Sequence, residues 1–284
     1  MPELPEVETI ANGVNRRVRG DRIVQAWFSR YKEPFKTPPG EMAATLPGLR
    51  IDRVYRVGKH IVADLAEVHS QPASRSRRKA PPPEARFQLL IHLGMTGRLL
   101  VSAPDQPLPE HTHGVLRLAT GRELRFVDPR RFGRLTLHTG GGFTGPGHEP
   151  LTISVDDFVA LFRGRKLSIK SALLNQKLLH GVGNIYADES LFRARIRPTR
   201  AAGRLTRERL SRLHRALRVV LQSAIRAGGS SVSDYVDADG EAGFFQIQHR
   251  VYGREGQPCR VCGTPIRRMV LGGRGTHFCP HCQT

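Results

Sequence analysis

The sequence predicts an α+β multidomain protein: an N-terminal helix leading into a β-sandwich, then a helical domain, then a C-terminal zinc-finger β-hairpin. Three features carry that prediction. Short β-rich runs separated by Gly and Pro fill the first half, helical periodicity takes over after residue 150, and all four cysteines lie in the last 26 residues. The implied boundaries are 1–138 for the β-sandwich domain, 139–150 for a Gly-rich linker, 151–249 for the helical domain and 250–284 for the cysteine module.

From Pro5 to Val18 the apolar residues Val7, Ile10, Ala11, Val14 and Val18 keep a helical period, and Gly20 is placed to end the helix. Strands are expected within 22–31, 49–57, 60–65, 87–93, 115–119 and 124–127, bounded by turn residues. The segment 69–86 reads HSQPASRSRRKAPPPEAR, which is too polar and Pro-rich for a core element and is expected to be a surface loop. Its Arg75, Arg77, Arg78 and Lys79 either attract phosphate or are simply solvated. Helices are expected over 156–162, 168–179, 184–194 and 206–227, the last carrying the stripe Leu210, Leu213, Leu217, Val220 and Ala224. Gly228 and Gly229 close it, and a polar segment, 230–243, leads to the cysteines.

Of 284 residues, 39% are hydrophobic and 25% charged, which suits a folded protein with a sizeable core. Lys and Arg number 45 against 25 Asp and Glu, a formal net charge of +20 that calls for a densely anionic partner. No run approaches the roughly 18 apolar residues of a membrane span. The opening MPELPEVETI has no apolar export core, so a cytoplasmic, nucleoid-associated protein without membrane contact is expected.

Cys259, Cys262, Cys279 and Cys282 form two C-x2-C pairs sixteen residues apart, the spacing of a four-thiolate Zn2+ site. Such a site has no open coordination position, so one structural zinc is expected. Two disulfides in a secreted tail are the alternative.

At the other end, removal of Met1 would expose the secondary amine of Pro2. A terminal amine has a pKa near 7.7–8.0 against about 10.4 for Lys, so roughly a tenth is unprotonated and nucleophilic at neutral pH. Condensation with a sugar C1′ must give a cationic iminium, which acidifies the C2′ hydrogens and prepares loss of the 3′ phosphate. Glu3 and Glu6 lie close enough in sequence to protonate a sugar oxygen or orient the amine. Compensation of a helix dipole by Glu3, Glu6 and Glu8 is the plainer reading of the same spacing.

PELPEVET at 2–9, GKH at 58–60, IHLGMTG at 91–97, DPRRFG at 128–133, GVGNIYADESLF at 181–192 and RVYGREGQPCRVCGTPI at 250–266, with the cysteine hairpin, resemble the bacterial formamidopyrimidine-DNA glycosylases over nearly the whole chain. The resemblance implies a monomer that excises oxidised purines from double-stranded damaged DNA and then cuts the strand by β,δ-elimination. It makes Pro2 the Schiff-base nucleophile, Glu3 the general acid, Glu6 a supporting carboxylate, Lys59 the β-elimination lysine and Arg274 the δ-elimination arginine. A guanidinium essentially never deprotonates, so phosphate clamping by Arg274 is easier to defend than proton donation.

The helical domain resembles a helix-two-turns-helix motif, with Asn184 as cap and anion contact at its second helix and Arg165 and Lys170 adding charge. Arg165 and His111 align with DNA-contacting positions of the family; His92 is read as a further phosphate contact, although a packed strand histidine describes it equally well. Met95, Arg130 and Phe132 resemble the trio that fills the gap left by an extruded nucleotide, whereas hydrophobicity alone reads Met95 and Phe132 as core. For Arg131 a phosphate contact or an ion pair with Asp128 is expected, and 230–243 resembles the loop that closes on the extruded base. Two other readings stand beside this one: an endonuclease VIII-like enzyme for oxidised pyrimidines, in which PEGPE typically replaces PELPE, and a catalytically silent damaged-DNA-binding protein.

Overall fold

The computed structural model describes residues 1–67, 87–231, 238, 240, 241 and 243–284. The expected surface loop at 69–86 lies outside these residues, as does most of the expected base-closing loop at 230–243. Two compact units emerge, one built mainly from 6–144 with Met1, Pro2 and Ala238, the other from Glu3–Pro5, Gly145–Ser231 and Gly243–Thr284.

The first unit holds α1 (Leu4–Val18, less its first two residues), β1 (Ile23–Phe28), α2 (Pro39–Thr45), β2 (Leu49–Val57), β3 (His60–Glu67), β4 (Phe87–His92), β5 (Arg98–Ser102), β6 (Thr112–Leu118), β7 (Glu123–Val127) and β8 (Arg134–Thr139). Two antiparallel four-stranded sheets result, ordered β1-β6-β7-β5 and β2-β3-β4-β8. One core takes Val7, Ile10, Ala11 and Val14 from α1 together with inward residues of both sheets, among them Ile51, Ile61, Leu89, Leu116 and Phe126. The period-3.6 stripe of α1 and the period-2 alternation of the strands are therefore satisfied against each other.

The sequence reading missed β5, β8 and α2. In β8 the alternation is short: Leu135 is buried, Leu137 only half so, and the strand is recognisable through its pairing with β4 from Phe87↔Thr139 to His92↔Arg134. The helix α2 starts on Pro39, which fits a first helical position because proline lacks the N–H that would go unpaired there.

The second unit contains α3 (Val155–Phe162), α4 (Ile169–Leu173), α5 (Asn184–Arg193), a 3-10 turn at Ala202–Arg204, α6 (Arg207–Arg226), a second 3-10 turn at Phe245–Gln248, and the hairpin β9 (Arg267–Leu271) with β10 (Arg274–Phe278). The hydroxyls of Ser154, Ser168 and Thr206 accept N–H bonds at the starts of α3, α4 and α6. Leu210, Leu213, Leu217, Val220 and Ala224 of α6 are all buried, packed with Phe158, Phe162, Tyr186 and Leu191. Each buried Leu, Val or Phe among them contributes about 1.5–3 kcal/mol by leaving water.

One expected helix, 168–179, is much shorter: α4 stops at Leu173. The Asn175 carboxamide accepts the Lys177 N–H at 3.0 Å and turns the chain. Gln176 then accepts the Gly181 N–H at 2.9 Å and donates to the carbonyls of Leu174 and Val182 at 2.9 Å each. The segment leaves the helix because these side chains supply bonds that a helix would otherwise have made.

Candidate functional site

In the β-sandwich unit, two loops carry exposed side chains on a shared buried carboxylate. Asp128, fully buried, accepts the Thr96 hydroxyl at 2.6 Å and the backbone N–H groups of Gly133 at 2.7 Å and Arg130 at 3.2 Å. Gly94, at φ +63°, lies against the second loop so closely that a Cβ would come within 2.5 Å of the backbone of Phe132 and Gly133. Met95 and Phe132 remain 43% and 47% exposed, which overturns the core-packing alternative for both. The Arg130 guanidinium lies over the Phe132 ring at 4.6 Å. The expected Arg131–Asp128 ion pair does not form: turn N–H groups occupy the carboxylate, and Arg131 instead stacks on Tyr31 at 4.5 Å and reaches Glu33 at 3.7 Å.

Lys59 occupies the turn between β2 and β3, half-buried. His92 ends β4, with its ring 5.0 Å from that of His60. Burial, reinforced by the charges of His60, Lys59 and Arg134, pulls the His92 pKa down from 6.5 to about 4. Its Nδ1 accepts the Gly94 N–H at 3.1 Å, so a neutral ring is left with Nε2–H as a donor. His111 is exposed at φ +61°, and its carbonyl accepts the Asp128 N–H at 3.0 Å. Pro2 is buried while Met1 is exposed, and Glu6 is buried in the first turn of α1.

The helical unit brings Glu3, Asn184, Lys170 and Arg274 together around the start of α5. Asn184 is not the cap. Gly183 occupies the cap position without a side-chain bond, and the Asn184 amide instead donates to the Gly275 carbonyl at 2.9 Å. The cap comes from far away in sequence: Glu3 Oε1 accepts the Ile185 N–H at 3.2 Å, and Oε2 accepts the Tyr186 N–H at 3.5 Å. A Cβ on Gly183 would fall 2.1 Å from the Glu3 carboxyl carbon, so glycine is what admits the carboxylate. The dipole reading of Glu3 thus holds for α5.

Lys170 is no surface cation. Fully buried, it pairs with Asp188 at 2.7 Å and donates to the Gly275 carbonyl at 2.9 Å and the Thr276 hydroxyl at 2.8 Å. Burial lowers its pKa against the upward pull of Asp188 and Glu3. Asp188 also accepts the His277 N–H at 2.8 Å, so one buried pair anchors the hairpin strand next to Arg274. Gly272 and Gly273, both at positive φ, make the tight turn that presents Arg274, which is exposed. The carbonyl of Gly275, the residue after Arg274, accepts from both Lys170 and Asn184. Arg165 is exposed as expected, donating to the Leu161 carbonyl.

Sequence reasoning missed Asp188, Glu189 and Gln176. Glu189 accepts the N–H groups of Arg250, Val251 and Tyr252 at 2.9–3.0 Å and so fixes the entry to the cysteine module. The signal was present in two adjacent acidic residues within a helix whose other members include Ile185, Tyr186, Ala187, Leu191 and Phe192.

The Sγ atoms of Cys259, Cys262, Cys279 and Cys282 all lie within 4.8 Å of one another, with Cys259–Cys282 at 3.9 Å and Cys262–Cys279 at 3.5 Å. A tetrahedron with Zn–S bonds of about 2.3 Å has S–S edges of about 3.8 Å, so the four thiolates fit one structural zinc. The N–H groups of Val261 and Cys282 donate to sulfur at 3.4 Å, and Phe192, Val251 and Ile266 pack behind the site.

A family model described as the formamidopyrimidine-DNA glycosylase N-terminal domain matches residues 1–135. The H2TH domain of the same glycosylase matches 146–236, and a zinc finger found in FPG and IleRS matches 256–284. A formamidopyrimidine-DNA glycosylase of Solibacter usitatus is 46% identical over 285 residues, covering 100% of this chain and 99% of the relative. The MutM (FPG) protein of Thermus thermophilus superposes with a TM-score of 0.82 at 41% identity, covering 99% of this chain and 98% of that one. A Lactococcus lactis FPG variant in complex with Fapy-dG-containing DNA superposes at 0.85 with 30% identity over 100% of both chains. The chain belongs to the formamidopyrimidine-DNA glycosylase family, whose members are enzymes of base excision repair.

Proposed function

We propose that this chain excises oxidised purines, 8-oxoguanine and formamidopyrimidines, from double-stranded DNA and cleaves the strand at the resulting site. With Met1 attached the Pro2 nitrogen is an amide without a free electron pair, so processing must come first. The freed amine then attacks C1′; the C1′–N bond breaks and the base leaves with a proton. The Pro2 nitrogen gives up its proton and the C1′–O4′ bond opens to leave the cationic iminium, with Glu3 as the general acid that protonates the ring oxygen and Glu6 supporting the terminus. The cationic iminium loses a C2′ proton and the 3′ C–O bond breaks, with the Lys59 ammonium at the departing phosphate. Loss of a C4′ proton and the 5′ C–O bond completes δ-elimination, with Arg274 clamping phosphate. The zinc of the cysteine module would hold the hairpin that carries Arg274 and makes or breaks no bond in these steps.

The observation that carries the reading is the Glu3 carboxylate, held by the N–H groups of Ile185 and Tyr186 one residue from Pro2. A side chain so fixed by groups 182 and 183 residues along the chain is positioned for work as well as for capping. Solved relatives point the same way, since complexes of the Lactococcus lactis protein contain Fapy-dG DNA and abasic-site DNA. Met95, Arg130 and Phe132 would fill the vacated stack, and His92, His111, Arg165 and Asn184 would contact the backbone. The buried apolar Leu4, whose N–H donates to the Gly181 carbonyl at 3.0 Å, fits PELPE and the purine enzyme. Action as a monomer, the boundaries 1–138, 151–249 and 250–284, and a place in the cytoplasm belong to the same reading; among the described residues no helix is long and apolar enough to cross a membrane.

Borohydride capture on duplex containing 8-oxoguanine tests it. The processed wild type should form a covalent adduct and Pro2→Gly should lose it; no adduct from wild type with Met1 removed by intact mass would sink the assignment.

A further inference from the structure

A cavity of about 560 Å³ opens in the helical unit, away from Glu3, Lys170 and Arg274 in its lining. Its floor is aliphatic: Val219 of α6, Ile247 of the 3-10 turn and Val261 between two zinc-ligating cysteines are 40%, 68% and 61% exposed. Around it stand Arg193, Arg195, Arg250 and Arg260, all exposed, and none of them makes an ion pair among the described residues. The lining carboxylate, Glu189, is committed to three backbone N–H groups. Four guanidinium charges thus line an apolar surface against one carboxylate, Glu189, and one thiolate of the cysteine site, Cys282.

Arg195 gives an independent reason to see a binding site. It follows the end of α5 at φ +56°, its N–H donating to the Phe192 carbonyl at 3.0 Å while Ile196 donates to Leu191 at 3.0 Å. This is the left-handed position that closes a helix, where glycine is favoured and a side chain is strained. An arginine kept in that conformation on the cavity rim is a side chain whose presence the fold does not ask for.

We propose that this cavity docks an acidic segment of a partner protein, with an aliphatic or aromatic anchor on Val219, Ile247 and Val261 and flanking carboxylates on the four arginines. Arginine forks match carboxylates in pairs, and the exposed floor supplies the apolar contact. A duplex backbone would engage the arginines but leave the exposed aliphatic floor of Val219, Ile247 and Val261 without a contact, so nucleic acid fits less well. The inference does not rest on the excision chemistry.

Fluorescence anisotropy with a labelled peptide, Asp-Glu-Asp-Leu-Phe-Asp, on the zinc-loaded full chain tests it. Saturable binding is expected, weakened about tenfold by Arg195→Gly and by Ile247→Glu, each a loss of about one log unit in Kd. Arg195→Gly should at the same time raise Tm by about 2 °C through relief of the left-handed arginine, and should excise lesions at the wild-type rate. Three results would overturn the proposal: no binding by wild type, equal binding of a peptide with Leu-Phe replaced by Asp-Asp, or displacement of the peptide by undamaged duplex whose own affinity drops in the same two variants.

Discussion

In the β-sandwich unit the buried carboxylate of Asp128 receives only neutral donors, the Thr96 hydroxyl and the N–H groups of Arg130 and Gly133. In the helical unit the equally buried Asp188 is paired with the Lys170 ammonium and the His277 N–H. The first arrangement shapes loops and leaves Met95, Arg130 and Phe132 projecting; the second locks a hairpin strand against a helix start. The difference teaches how each fails. Neutral bonds to one carboxylate are lost one at a time, whereas a buried ion pair deprived of one partner leaves a whole charge in a low-dielectric interior.

The largest effect is therefore expected in the helical unit. Lys170→Met should cost about 3–5 kcal/mol in urea unfolding, and adding Asp188→Leu should recover most of it. If the double variant is no more stable than the single, uncompensated charge is not what Asp188 contributes.

The second effect belongs to the β-sandwich unit and to pH. His92 has a folded pKa depressed from 6.5 to about 4, so its neutral form is favoured by folding. Its contribution is complete above pH 6.5 and is lost as pH falls toward 4, up to about 3 kcal/mol if the whole shift is expressed. A His92→Gln variant should flatten the acid limb of the stability profile; an unaltered limb would remove His92 from the explanation.

Asp128→Ala comes next, at about 1–3 kcal/mol, because the stranded N–H groups of Gly133 and Arg130 lose their acceptor. The loss should be smaller than for Lys170→Met and should be accompanied by slower excision, since both projecting loops loosen. Equal destabilisation by the two would erase the contrast between neutral and ionic scaffolds. The smallest change in stability is expected for Phe132→Ala, within about 0.5 kcal/mol for a side chain 47% exposed, together with a clear fall in lesion excision. A large stability loss would return Phe132 to the core.

Much of this architecture was legible in the chain. The strand at Leu49–Val57 has the bounds its alternation predicts, the α6 stripe is buried as its period requires, and the cysteine spacing yields four converging thiolates. What failed did so where partners are distant. Asn184 has the local features of a helix cap, yet Glu3 takes that role from 182 residues away from Ile185 and leaves the asparagine to bind Gly275. Lys170 reads as one more cation in a basic chain until Asp188 is seen opposite it. For Met95 and Phe132 hydrophobicity alone pointed to the core and the family resemblance to exposed positions; the loops tied to Asp128 leave both exposed.

Sequence alone determined the periodicities, the thiolate spacing and the surplus of positive charge, because each is a property of neighbours along the chain or of the composition as a whole. The tertiary structure decided which buried donor meets which carboxylate, because a polar group removed from water takes whatever partner the packing brings within reach, and local order does not encode that partner.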